Sequence, residues 1–132
     1  MRARHMIRLC IWRLSAITKN IALGFASVIL PLRHPAHVAK AAASAGVLSG
    51  GLLLLGVASG DRPEEYPAMN MDFASRGERF CESVDYIRAT TQDCPHIDMM
   101  QGRLASDAEM LPKTLGGQLP MIITGGARQA PE

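Results

Sequence analysis

Aromatic side chains are scarce: one Trp, two Tyr and three Phe make up 5% of the 132 residues. A core must therefore come from Leu, Ile, Val, Ala and Met. Cysteine is equally sparse. Cys10, Cys81 and Cys94 are odd in number and lack CxxC spacing, which argues against a disulfide framework or a zinc site and suits a reduced, cytoplasmic setting. An excess of one charge is also missing. The formal net charge of +2 is too small for an electrostatic nucleic-acid surface. No stretch reaches the ~18–20 uninterrupted apolar residues of a membrane span. Neither nucleic acid nor membrane is expected as a partner. With 48% hydrophobic and 20% charged residues, disorder throughout is excluded as well, and the length suits one small domain.

The N-terminus admits two readings. Arg2, Arg4, Arg8 and Arg13 precede the apolar residues 21–32, as an n-region precedes the h-region of a signal peptide. The same residues fit the end of a helix over 9–17, a turn at Lys19 and Asn20, and a strand over 21–30. The second reading is preferred.

What the chain does have is a central stretch over residues 47–63. The pair Gly50-Gly51 stops the preceding segment, and the apolar run 52–57 follows without polar alternation. That pattern predicts a strand buried on both faces, as in parallel sheets. Ala58, Ser59 and Gly60 end the run, followed by Asp61, Arg62 and Pro63. Ligands in α/β folds sit at such carboxyl ends of parallel strands.

Around this stretch the order is strand, helix, strand. Residues 21–30 carry Gly24, Ala26 and Ser27. Small residues inside a strand mark either a bulge or ligand approach, or close packing against a helix. Pro35 suits the first position of a helix over 35–49, in which Val38, Ala41, Ala42, Ala45 and Leu48 share one stripe, with His37, Lys40 and Ser44 on another face. Residues 64–71, with Tyr66 and Pro67, read as a loop. A second helix starts near Asp72, or three residues later if Ser75 and Glu78 form a capping box. Its apolar stripe is Phe73, Gly77, Phe80, Val84 and Ile87. Residues 90–118 read as a long irregular segment, often functional at that length. A short strand over 119–123 ends in the glycine-rich turn Thr124-Gly125-Gly126-Ala127-Arg128, whose backbone N–H groups suit an anion.

Several of these segments together resemble the bacterial luciferase-like flavin-dependent oxidoreductase family. The resemblance rests on Leu30-Pro-Leu-Arg-His-Pro-Ala-His-Val-Ala-Lys40, Val47-Leu-Ser-Gly-Gly51 and Leu54-Leu-Gly-Val-Ala-Ser-Gly-Asp-Arg-Pro63. It continues through Ser75-Arg-Gly-Glu-Arg-Phe80, Gln101-Gly-Arg103, Leu111-Pro-Lys113, Leu119-Pro120 and Thr124-Gly125. It divides the chain into a poorly matching segment, 1–17, and a partial luciferase-like domain, 18–132.

The resemblance implies an α/β fold that is an incomplete part of a (β/α)8 TIM barrel, about its third to fifth strands. It implies a monooxygenase that uses reduced FMN and dioxygen on a small organic substrate, with a flavin reductase as partner and an oligomeric state open. A deazaflavin-dependent reductase of the same family is the alternative. The cofactor-binding positions carried over are Ala26 and Ser27, where the family forms a non-prolyl cis peptide under the flavin ring, then Ala58, Ser59 and Gly60. Thr124, Gly125, Gly126, Ala127 and Arg128 fall on the phosphate turn. No catalytic residue and no metal ligand is implied. The chain departs from the family at Leu52, where a basic residue is usual, at Gly126, where serine is frequent, and at the tip of the central strand, where luciferase itself has a cysteine and an arginine. A complete barrel takes ~250 residues, so the 132-residue length is that expected of a fragment, active or non-catalytic.

Overall fold

The computed structural model describes residues 13–90, 97–99, 102–104 and 111–125. Of the helix expected over 9–17, residues 13–17 are described and are helical. Strand β1 spans Leu23–Ile29 and strand β2 spans Leu53–Ala58. Between them lie a 3-10 turn, Leu30–Leu32, and helix α1, Pro35–Leu48. Pro35 occupies the first turn, where its missing N–H has no intrahelical acceptor to lose. His34 precedes it, and His34 Nδ1 accepts from the Ala36 N–H at 3.3 Å. The helix stops at the glycine pair as expected: Gly50 and Gly51 take φ of 66° and 88°. There Gly51 N–H donates to Gly46 O at 2.8 Å, a closure that needs the left-handed backbone glycine adopts readily.

After β2 come the short helix α2, Glu65–Ala68, and helix α3, Arg76–Ala89. The segment 64–71 is thus not wholly a loop. The later start of α3 is the observed one, but no capping box forms: Ser75 makes no side-chain cap bond. Its hydroxyl donates back to Asp72 O at 3.0 Å, while Asp72 Oδ1 accepts from Ala74 N–H at 3.1 Å. Local side-chain turns of this kind compete with the cap. Strands β3, Ile97–Met99, and β4, Gly102–Leu104, pair as a small antiparallel hairpin inside the segment expected to be irregular. Strand β5, Met121–Ile123, then returns to the main sheet.

The main sheet has the order β1-β2-β5, all parallel. Side chains alternate across it. Leu53, Leu55 and Val57 are buried on one face and join Val38, Ala39, Ala42 and Ala45 of α1 with Phe80, Val84 and Ile87 of α3 in one apolar cluster. Alanines let α1 approach the sheet closely. Leu48, expected on this stripe, is 62% exposed, because the buried stripe runs through Ala42 and Ala45 to Ser49 and leaves Leu48 beside it. Gly77 and Phe73 also fall outside the cluster, since α3 turns its apolar stripe inward only from Phe80.

The small residues of β1 divide between the two expectations. Gly24 packs closely, but against a strand: a Cβ there would lie 3.0 Å from the Leu54 carbonyl oxygen. Ala26 and Ser27 mark a bulge. Phe25 pairs with Leu55 and Val28 with Val57, so β1 carries one extra residue between those rungs.

Among the described residues, the outer edges of β1 and β5 have no strand partner, and Ile122 and Ile123 are 48% and 43% exposed. Unpaired edges beside apolar side chains invite pairing between chains. The isolated 132-residue chain is expected to sediment as oligomers or aggregates. A monodisperse monomer with a cooperative melt would show that these edges are shielded.

Candidate functional site

Because the sheet is parallel, the carboxyl ends of β1, β2 and β5 lie side by side. Neighbouring strands are ~4.8 Å apart, so three ends cover a width of about 10 Å. Of the residues singled out in the sequence, Ala58, Ser59, Gly60, Thr124 and Gly125 fall at these ends, and Ala26 and Ser27 lie earlier in β1, each group held by a different device.

In β1, Ala26 and Ser27 sit at the bulge and not at the strand's end, two rungs before it, where Val28 and Ile29 still pair with Val57 and Ala58. The Ala26–Ser27 peptide is cis, at the position the resemblance implied. Ala26 is exposed and Ser27 half-buried, so the bulge brings small side chains and backbone to the surface.

At the end of β2, Ala58 and Ser59 are buried and Gly60 takes φ of 81°. Glycine is required here on two counts. A left-handed residue with a Cβ is strained, and a Cβ would lie 2.8 Å from Ile29 Cγ2 and 3.0 Å from the Tyr66 hydroxyl. The ends of β1 and β2 therefore close around Gly60. Asp61 and Arg62 point into solvent. Arg62 pairs with Glu65 at 3.5 Å, with both side chains well exposed, a contact of little energetic weight.

At the end of β5, Thr124 is bound to β2 twice: its N–H and its hydroxyl both donate to Val57 O, at 2.8 and 3.2 Å. This sets the turn after β5 beside the Ser59-Gly60 tip. Gly125 is exposed. Gly126, Ala127 and Arg128 lie outside the described residues.

The residue that sequence reasoning missed is Tyr66. It reads as a loop residue, yet it has no exposed surface, and its hydroxyl donates to the Ser59 carbonyl. Phe73 packs edge-on against it, with ring centroids 5.1 Å apart. The available signal was compositional: with six aromatics in the chain, two of them only seven residues apart mark a place where rings can pack.

Burial pushes the Tyr66 hydroxyl above its ordinary value of 10.0. Arg76 opposes this, Glu65 adds to it and Arg79 opposes it. Burial alone raises Tyr86. No cluster of metal-ligating side chains exists among the described residues. A separate cavity of about 10 Å³ lies between α1, the end of α3 and the segment leading into β5, lined in part by Ala39, Ile87, Thr114 and Leu119. It holds one water at most.

The sequence model of the luciferase-like monooxygenase family matches residues 13–131. The 4-hydroxyprotoasukamycin monooxygenase of Streptomyces nodosus subsp. asukaensis is 39% identical over 110 residues, which is 81% of this chain and 29% of that protein. The oxygenase component of a flavin-dependent trigonelline monooxygenase from Acinetobacter baylyi is 37% identical over 73 residues, 54% of this chain and 20% of that protein. Among solved structures, the oxygenating constituent of 3,6-diketocamphane monooxygenase from Pseudomonas putida, in complex with FMN, superposes with a TM-score of 0.76 at 19% identity. That match covers 91% of this chain and 37% of the other. At this identity the likeness carries the fold: the three-stranded sheet is part of a luciferase-like barrel. The chain spans less than a third of the length of the sequence relatives it matches.

Two outcomes follow from the rim. Gly60→Ala should lower stability by ~2–4 kcal/mol, from left-handed strain and overpacking against Ile29 and Tyr66; a lower urea midpoint at unchanged slope measures it. The second concerns alkaline pH. Tyr66 and Tyr86 have raised pKa values when folded, so the unfolded state loses these protons first. Their contribution is complete below the unfolded value of 10.0 and is lost as pH rises through the higher folded values. Melting temperature should therefore fall from about pH 10 upward, and a flat profile there would show that the two hydroxyls ionise as freely folded as unfolded.

Proposed function

Because this chain belongs to the luciferase-like monooxygenase family, we propose that its rim forms part of the flavin site of a monooxygenase that uses reduced FMN and dioxygen on a small organic substrate. The observation that carries this reading is the pair of hydrogen bonds that Thr124 donates to Val57 O. It ties the β5 turn to the β2 tip, next to the bulge of β1, so that three small-residue segments share one surface.

The residues fit a flat, uncharged ring. Ala26 and Gly125 are exposed, Ser27 and Gly60 are half-buried, and none has a side chain larger than a hydroxymethyl. A planar group can therefore approach the backbone closely. When bound, reduced flavin would supply the electrons that activate dioxygen. The protein's own part is positional. None of Ala26, Ser27, Ala58, Ser59, Gly60, Thr124 and Gly125 is an acid or base near neutral pH, so these residues orient and shield and do not transfer protons. Gly125 offers an exposed backbone at the turn where a phosphate would be held. Gly126, Ala127 and Arg128 are assigned to the same phosphate contact on the sequence alone.

A separate flavin reductase would deliver the reduced cofactor. The Acinetobacter relative, named as an oxygenase component, supports that division of labour. FMN is favoured over a deazaflavin by the FMN complex of the Pseudomonas structure.

Fluorescence titration with FMN, riboflavin and a deazaflavin cofactor tests the reading. FMN should bind most tightly. A carboxylate placed beside a phosphate costs ~1 kcal/mol in a solvent-exposed turn, so Gly125→Asp should weaken FMN about 5- to 10-fold and riboflavin less than twofold. Equal losses would place the phosphate elsewhere. Preference for the deazaflavin would assign the chain to the reductase branch.

A further inference from the structure

The end of β2 is held by a chain of contacts that the flavin reading does not use. The Tyr66 hydroxyl donates to the Ser59 carbonyl. Its ring is held edge-on by Phe73. The Arg76 guanidinium lies 3.9 Å over the Phe73 ring, and Arg76 Nη1 donates to the Phe73 carbonyl at 3.0 Å. The backbone at Tyr66 is anchored too: its carbonyl accepts from Met69 and Met71 N–H at 3.0 and 2.9 Å. The first turn of α3 thus braces Phe73, Phe73 braces Tyr66, and Tyr66 grips the strand end.

The grip has a directional consequence. The Ser59–Gly60 peptide is trans, and in a planar trans peptide the carbonyl and the following N–H point opposite ways. With the Ser59 carbonyl turned to Tyr66, the Gly60 N–H points away from it. Among the described residues that N–H has no acceptor. Gly60 is half-buried, so the donor sits in the rim and not in the core. A buried or half-buried donor without a partner in the protein is a candidate for a ligand acceptor.

We infer that Tyr66 is a positioning residue: by holding the Ser59 carbonyl it aims the Gly60 N–H as a hydrogen-bond donor toward an acceptor atom of the flavin ring. This rests on the proposed flavin site and adds to it a specific donor and the side chain that aims it. Tyr66 itself touches neither cofactor nor substrate. Its action is on the ring end of the site, so its loss should affect FMN and riboflavin alike. This separates it from the phosphate turn.

The test uses the 132-residue chain and Tyr66→Phe, which keeps the ring and removes only the hydroxyl. Tyr86→Phe, at a buried tyrosine of α3 beside His34, is the control for loss of a shielded hydroxyl elsewhere. Hydrogen exchange followed by mass spectrometry needs no cofactor. Tyr66→Phe should speed exchange about 5- to 10-fold in peptides spanning residues 62–71 while residues 53–58 keep their protection, as loss of one hydrogen bond predicts. Tyr86→Phe should leave residues 62–71 unchanged. In flavin titrations, Tyr66→Phe should raise the Kd of FMN and of riboflavin by the same factor, about 5- to 10-fold. Unchanged exchange in residues 62–71 overturns the grip. Faster exchange with unchanged flavin affinity overturns the aimed donor. A wild-type chain that binds neither flavin overturns the functional reading and the flavin part of this inference with it, and the exchange comparison then decides the grip by itself.

Discussion

Strand β2 is the constraint on which the other elements depend. Leu55 and Val57 have no exposed surface, and a backbone that deep must have its N–H and C=O groups paired. Pairing comes from β1 on one side and β5 on the other. The Pro120 carbonyl adds to it, accepting from the Leu55 N–H at 2.9 Å even though proline itself has no donor to return. Each neighbouring element is placed by what β2 needs. Gly24 lets β1 come close, the alanines of α1 and the apolar stripe of α3 cover one face, and Thr124 ties off the carbonyl of Val57.

The candidate site is a by-product of that arrangement. Parallel pairing puts strand ends together, and the residues that follow β2 and β5, with Ala26 and Ser27 at the bulge of β1, are too small to fill the space above the sheet. Holding them in register takes side chains from elsewhere. Thr124 locks β5 to β2, and Tyr66 locks the turn after β2. The rim is consequently short of reactive side chains and rich in positioned backbone. A cofactor that brings its own chemistry suits such a surface better than acid–base catalysis by the protein.

Features carried by local pattern were readable before any coordinates. Pro35 and the Gly50-Gly51 pair bound α1 to within a residue of the observed ends, because both act through their own backbone. The unbroken apolar run of residues 52–57 marked the central strand, whose Leu53, Leu55 and Val57 face is buried while Leu54 on the opposite face is half-buried. The order of motifs marked the family and its barrel. Features that depend on competition or on distant partners were not readable. Ser75 was compatible with a cap, but its hydroxyl bonds to Asp72 instead. Leu48 continued the apolar periodicity of α1 but is exposed, because the buried stripe ends on Ser49 instead. The short helix at Glu65–Ala68 had no periodicity long enough to detect.

The sequence by itself determined the three strands of the main sheet and the two long helices, where glycine must stop a helix, and that small residues follow β2 and β5. These are properties of a residue and its close neighbours. The tertiary structure decided that Ala26 and Ser27 lie at a bulge and not at a strand's end, since a bulge exists only against a partner's register. It also decided that Tyr66, one of the few aromatics, is buried against Ser59. Fewer than ten residues separate that pair along the chain, but their contact depends on Phe73 and Arg76 closing from the far side, and packing from several directions has no signature in linear order.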